Sequence, residues 1–114
     1  MNRPEDQVLV IFGASGDLTK RMLMPSLYEL HARQMLPERF VILGTSRKSM
    51  SDEEFRLSIR LMLEELKGEK GLNGEEVNRF LQKVYYQPFD PVEGADELGE
   101  RVMFLMEEYA IPMR

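Results

Sequence analysis

Cysteine and tryptophan are absent from these 114 residues, and histidine occurs once. Without cysteine there is no disulfide framework, no thiolate nucleophile and no cysteine-held metal. The single histidine, His31, has no Cys, Asp or Glu at ligand spacing and no partner for a catalytic pair, so neither a metal site nor a catalytic residue is assigned. Near the end of a helical stretch, it is expected on the surface, where the helix dipole favours it. Excess positive charge is also missing: the formal net charge is −5, which gives nucleic acid or an acidic membrane no electrostatic reason to bind. The polar start MNRPEDQ and the short apolar run behind it fit neither a signal peptide nor a membrane span, so a cytoplasmic protein is expected. There are no internal repeats, low-complexity tracts or interdomain linkers.

What remains is ordinary globular composition, 43% apolar and 31% charged. That suits one domain, small for an enzyme with separate cofactor and substrate regions. The nine methionines read as flexible core filling.

The chain is organised around residues 8–20, VLVIFGASGDLTK. Val8, Leu9, Val10, Ile11 and Phe12 form a run that fits a strand buried on both faces. Gly13, Ala14, Ser15 and Gly16 then break it, and Leu18, Met22, Leu23, Leu27 and Leu30 recur at helical spacing over residues 16–33. A strand, a glycine turn and a helix in that order bring backbone N–H groups and the positive end of a helix dipole to the strand's carboxyl end, a place suited to phosphate. The motif is neither G-x-G-x-x-G nor a P-loop, because Lys20 follows Thr19 and Arg21 stands where magnesium would need Ser or Thr. Lys20, on the first turn, is placed to meet a bound phosphate. Pro25 predicts a kink, since it lacks a donor and crowds the carbonyl of Arg21.

Residues 35–38 stop this helix, and residues 40–44 read as a second buried strand. Two strands joined by a helix form a parallel, right-handed βαβ unit. An acidic residue at the end of the second strand would grip the ribose hydroxyls of NAD. Here the chain reads Gly44-Thr45-Ser46-Arg47-Lys48, without a carboxylate until Asp52. A guanidinium pairs with the 2′-phosphate of NADP, which a carboxylate repels. Ser51 and Glu54 form a capping box, followed by an inward face of Phe55, Ile59, Met62, Leu63 and Leu66. After a polar break at 68–74, Asn73 and Glu76 open a short helix with Val77, Phe80, Leu81 and Val84 inward. Residues 84–87 predict a third strand ended by Pro88, and Asp90-Pro91 suits a turn or helix start. Val92, Ala95, Leu98, Val102, Leu105 and Tyr109 share one face of a last helix, whose apolar stretch 102–106 predicts burial on more than one side. Residues 111–114 stand where a fourth strand is expected.

The motif Gly13-Ala14-Ser15-Gly16-Asp17-Leu18-Thr19-Lys20 resembles that of the glucose-6-phosphate dehydrogenase family, whose turn reads G-A-S-G-D-L-[AT]-K. Pro25-Ser26-Leu27-Tyr28, Leu36-Pro37, Phe40, Gly44-Thr45-Ser46-Arg47 and Ser51-Asp52-Glu53-Glu54-Phe55-Arg56 are also similar to it. The resemblance covers nearly the whole chain and is strongest from 10 to 56. It implies an α/β, Rossmann-like parallel sheet with flanking helices, incomplete at its C-terminal end, with residues 1–114 a partial NADP-binding domain. By position it assigns the coenzyme diphosphate to residues 13–20 and the adenosine 2′-phosphate to Arg47, helped by Lys48. It puts Lys20 between coenzyme and sugar phosphate, and Asp90 near the adenine.

The family oxidises glucose 6-phosphate to 6-phosphogluconolactone with hydride transfer to NADP, in the pentose phosphate pathway. Its E-K-P-x-G segment and its R-I-D-H-Y-L-G-K segment, which holds the catalytic histidine, have no counterpart here, so the chain is expected not to catalyse alone. Glucose 6-phosphate would be a partner only if the missing part were supplied. The alternatives are a non-catalytic NADP(H)-binding or regulatory module and, against the D-L-T-K continuation and Pro25, another NADP-dependent reductase. In a doubly wound sheet the first strand is central, with a later strand beyond residue 114. That predicts one open apolar edge on it, available for self-association or a partner.

Overall fold

The computed structural model describes residues 5–67, 73–90, 92 and 94–111. Most of the polar break at 68–74, Pro91 and residues 112–114 of the anticipated fourth strand lie outside these. The elements run β1 (Gln7–Phe12), α1 (Asp17–Ala32), β2 (Phe40–Ser46), α2 (Asp52–Lys67), α3 (Gly74–Leu81), β3 (Val84–Pro88) and α4 (Ala95–Glu108). The strands form one parallel sheet in the order β1-β2-β3, with Gln7 opposite Phe40 and Ile42 opposite Val84. This is the α/β, Rossmann-like partial sheet that the sequence predicts, and among the described residues β1 is hydrogen-bonded to β2 alone.

Helices α1, α2 and α3 cover one face. There Met24, Tyr28, Phe55, Ile59, Leu63, Val77 and Phe80 pack with Ile11, Ile42, Val84 and Tyr86. On the other face α4 lays Leu105, with Leu98, Val102 and Met106 beside it, against Val8, Val41, Leu43 and Tyr85. β2 is buried on both faces along nearly all its length, as its apolar run requires, and extends two residues past Gly44. β1 is only half-buried, against expectation, because it has one neighbouring strand instead of two.

Backbone alternation fixes which groups each outer strand turns outward. The Gln7 N–H donates to Arg39 O at 3.0 Å, so Gln7, Leu9 and Ile11 address β2, and Val8, Val10 and Phe12 face away. The Ile42 N–H donates to Lys83 O at 2.8 Å, so Val84, Tyr86 and Pro88 are the outward positions of β3.

Helix α1 runs unbroken through Pro25. It starts one residue later and ends one earlier than its apolar spacing suggests, and Gln34 closes it in the left-handed region at φ +58°. Its buried stripe is Met24 and Tyr28, whereas Leu18, Met22, Leu23 and Leu30 are exposed. Leu18 and Met24 point about a third of a turn apart, so one helix carries two apolar stripes and only one is covered. The α2 capping box forms as predicted: Glu54 N–H donates to Ser51 Oγ at 3.1 Å and Ser51 N–H to Glu54 Oε1 at 2.9 Å. Leu66, past the last contact of that helix with the core, is exposed. Asn73 caps α3 by accepting from the N–H groups of Glu75 and Glu76, and Val84 belongs to β3 instead of to this helix.

Three further expectations are corrected. Val92 lies outside α4, which starts only at Ala95, and both residues are exposed. Met103 and Phe104 are exposed too, because α4 is the only described helix on its face of the sheet and can bury only one side. His31 is no surface residue: its side chain is 9% exposed, with the rings of Tyr28 and Phe80 at 6.5 and 5.6 Å. Nε2 lies 2.9 Å from Glu76 Oε1, an ion-pair distance without the alignment of a directed hydrogen bond. Burial, aided by the positive charge of Lys83, holds the imidazole pKa below its ordinary value despite Glu76.

Candidate functional site at the carboxyl ends of the strands

The three strands end level with one another, Phe12 opposite Thr45 and Ser46 opposite Pro88, and every candidate residue follows one of these ends. After β1, Gly13 takes φ +72°, a left-handed turn that a side chain would strain. The turn lets Ala14 N–H donate to Thr45 O at 3.1 Å and Gly16 N–H to Gly13 O at 3.0 Å. Ala14 is fully buried, seated over Gly44 of β2. A Cβ on Gly44 would lie 2.8 Å from that of Ala14 and 2.7 Å from Phe55 Cζ, so a glycine in β2 permits both the turn and the docking of α2.

Gly16 is the N-cap of α1, in extended conformation, and no side chain caps the helix. The N–H groups of Asp17, Leu18 and Thr19 therefore have no intrahelical acceptor, and the first ladder bond is Lys20 N–H to Gly16 O at 3.1 Å. The Asp17 carboxylate is drawn off by Arg21 Nε at 2.9 Å. Asp17 and then Glu65 hold the Arg21 guanidinium above the usual arginine range. Lys20, one residue earlier, has no ion-pair partner among the described residues. Leu18 is exposed and Thr19 half-buried.

After β2, Arg47 and Lys48 are exposed, and neither side chain forms an ion pair among the described residues. Arg47 lines a cleft of about 510 Å³ together with Phe89, Asp90 and Glu97, a volume in the range of small-molecule sites. Asp90 is exposed; its Oδ1 accepts from Val92 N–H at 2.8 Å and shapes the turn that leads to α4. The structure thus brings Arg47 and Asp90 together. Lys20 does not line this cleft, and the glycine turn joins it by another route.

That route is a chain of hydroxyls absent from the sequence reading. Ser15 Oγ lies 2.7 Å from Ser46 Oγ, which lies 2.5 Å from the Tyr86 hydroxyl. Tyr86 also reaches Lys48 O at 2.5 Å, and Lys48 N–H donates to Ser46 Oγ at 3.2 Å. Counting protons orients the chain, because the carbonyl can only accept. Tyr86 donates to Lys48 O, Ser46 donates to Tyr86, and Ser15 donates to Ser46. The Tyr86 ring is buried against Phe55, with centroids 4.9 Å apart. The one available sequence signal for Tyr86 is its place opposite Gly44 in β3, which becomes visible only after the register is known. Asp52 was missed as well: beyond the capping box, its carboxylate accepts from Tyr86 N–H at 2.7 Å and pairs with Arg101 at 2.8 Å.

Among the described residues no group of three or more His, Cys, Asp or Glu gathers to hold a metal, and no helix is long and apolar enough to cross a membrane.

Comparison with known proteins gives this arrangement a lineage. Residues 10–110 match the family model described as glucose-6-phosphate dehydrogenase, NAD binding domain. The glucose-6-phosphate 1-dehydrogenase of Aggregatibacter actinomycetemcomitans is 42% identical over 94 residues, covering 82% of this chain and 18% of that protein. That of Bacillus subtilis (strain 168) is 31% identical over 113 residues, covering 97% and 22%. A solved glucose-6-phosphate dehydrogenase, in complex with its substrate glucose-6-phosphate, superposes with a TM-score of 0.78 at 33% identity, over 97% of this chain and 23% of that one. The chain therefore spans about a fifth of the length of such relatives. Within that span, the chain belongs to the glucose-6-phosphate dehydrogenase family and matches its nicotinamide-dinucleotide-binding domain.

Proposed function

We propose that residues 1–114 are the NADP-binding portion of a cytoplasmic glucose-6-phosphate dehydrogenase. The observation that carries the preference for NADP over NAD is Arg47. It stands where β2 ends, exposed, without an ion-pair partner among the described residues, and with no carboxylate beside it in sequence until Asp52. The residues suit the coenzyme: uncapped N–H groups at the start of α1 and Lys20, without an ion-pair partner among the described residues, offer donors to a diphosphate, and Arg47 with Lys48 offers donors to a 2′-phosphate.

Bound there, NADP supplies the hydride acceptor. In this reading Gly13, Ala14, Ser15, Gly16, Asp17, Leu18 and Thr19 form the diphosphate turn, Lys20 serves both coenzyme and sugar phosphate, and Asp90 flanks the adenine. Oxidation of glucose 6-phosphate also needs a base to take the sugar hydroxyl proton, and no residue of this chain is assigned that role. The base belongs outside the residues assigned here, and the edge of β1 left unpaired among the described residues is a surface for self-association or for docking a partner.

Calorimetric titration with NADP⁺ and NAD⁺ tests the reading. Saturable binding that favours NADP⁺ is expected, and Arg47→Ala should weaken NADP⁺ by roughly tenfold or more, the scale of a charge-assisted contact, while sparing NAD⁺. Equal affinity for the two coenzymes in the unaltered chain would overturn it.

A further inference from the structure

Arg47 is exposed, and a long exposed side chain is a poor discriminator unless its backbone is held. Both of its neighbours are held by one buried tyrosine. On one side Ser46 Oγ donates to the Tyr86 hydroxyl at 2.5 Å; on the other the same hydroxyl donates to Lys48 O at 2.5 Å. Lys48 N–H closes the loop onto Ser46 Oγ at 3.2 Å. The arginine thus sits at the apex of a turn whose two feet are tied to a side chain 39 positions away in sequence. Tyr86 is itself fixed from three directions. Its ring packs on Phe55, its N–H donates to the Asp52 carboxylate at 2.7 Å, and its strand pairs with β2 opposite Gly44.

From this geometry we infer that Tyr86 is a positioning residue for Arg47 and sets the discrimination between dinucleotides with and without a 2′-phosphate. The inference rests on the reading of Arg47 given above. Tyr86 meets no coenzyme; its hydroxyl presents the guanidinium in one place, which saves the ordering cost when a phosphate arrives. The diphosphate turn is less dependent on it, because Ser15 reaches Tyr86 only through Ser46 and the Gly13 turn has its own backbone bonds to Thr45 and Gly16. Loss of the hydroxyl is therefore felt by the phosphate that separates NADP from NAD, and hardly by what the two share.

The test is titration of the 114-residue chain with NADP⁺ and with NAD⁺ after Tyr86→Phe, which keeps the ring against Phe55. The Kd for NADP⁺ should rise by roughly tenfold while that for NAD⁺ moves by less than roughly twofold, the scale of one or two lost hydrogen bonds expressed at one end of the ligand only. Ser46→Ala, which cuts the same tie from the other end, should lower the NADP⁺/NAD⁺ ratio in the same direction and decides the matter if Tyr86→Phe does not fold. An unchanged ratio, or equal weakening of both coenzymes, would show a merely structural tyrosine and overturn the inference. If the unaltered chain already fails to distinguish the coenzymes, the role of Arg47 falls first and this inference falls with it.

Discussion

Along the outer edge of β3, Arg56 Nε donates to Val84 O at 2.7 Å, Tyr86 N–H donates to Asp52 Oδ1 at 2.7 Å, and the next outward residue, Pro88, has no N–H to offer. Along the outer edge of β1, the corresponding groups of Val8, Val10 and Phe12 meet no described partner, and Phe12 is 62% exposed. The sheet has two edges of similar length. One is closed residue by residue by side chains from α2 and a proline, and the other is left unpaired among the described residues. The surroundings follow suit. Beside β3, Arg56 and Arg101 lie over the Tyr85 ring at 4.8 and 5.7 Å, covering it with charge. Next to β1 a groove of about 480 Å³ is lined by Val8, Val102 and Met106 together with Glu5, Asp6 and Gln7, and exposed apolar side chains remain on the helices: Leu18, Met22 and Leu23 on α1 and Phe104 on α4. A chain that needed to be inert at both edges would have spent a lysine or a proline on β1. Among the described residues, the difference leaves β1 the less protected edge of the two.

The sharpest way to break this comparison is to reopen β3. Asp52→Ala removes the acceptor of Tyr86 N–H and strands the Arg101 guanidinium, whose Nε is already buried without a partner. A loss of about 2–3 kcal/mol is expected from urea unfolding. Hydrogen exchange should then show the Tyr86 amide, protected in the unaltered chain, exchanging as fast as that of Val10. An unaffected Tyr86 amide would deny that Asp52 closes the edge.

A smaller effect comes from closing β1. Phe12→Lys places a charge on an exposed edge position, so the fold should lose less than about 1 kcal/mol. Sedimentation velocity across a concentration series should show association of the unaltered chain weakened by roughly tenfold in the variant. A chain that stays monomeric at all concentrations would mean that the open edge attracts no second copy.

The smallest effect lies away from both edges and serves as their control. Burial lowers the His31 pKa, so folding favours the neutral ring. The corresponding stability is present above the unfolded value of about 6.5 and is lost as the pH falls below it. Urea midpoints at pH 7.5 and 5.5 should differ by less in His31→Gln than in the unaltered chain, while association through β1 stays the same. Equal pH dependence in the two chains would assign the effect to other groups.

Features that depend on neighbours in sequence were legible before the structure. The β1 run, the Gly13 turn, the capping box of Ser51 and Glu54 and the N-cap at Asn73 all obey rules spanning three or four residues. The open edge followed from topology. The misread features depend on distant partners. Nothing near His31 announces Phe80 or Glu76, and nothing in the spacing of Leu18, Met22 and Leu30 says which apolar stripe of α1 the core will take. Tyr86 was hidden for the same reason: its hydroxyl acts across 38 to 40 positions, and only the β2–β3 register brings it to Ser46 and Lys48.

Gly44 has a bearing on how the molecule assembles. Because Ala14 and the Phe55 ring occupy the two sides of one missing Cβ, the loop after β1 and the first turn of α2 settle onto the same spot of β2. The two βα connections thus share one point of attachment on β2, and a side chain at position 44 would disturb both at once. The glycine turn, although Gly13 and Gly16 lie on the surface, is anchored in the core beneath it by the buried Ala14.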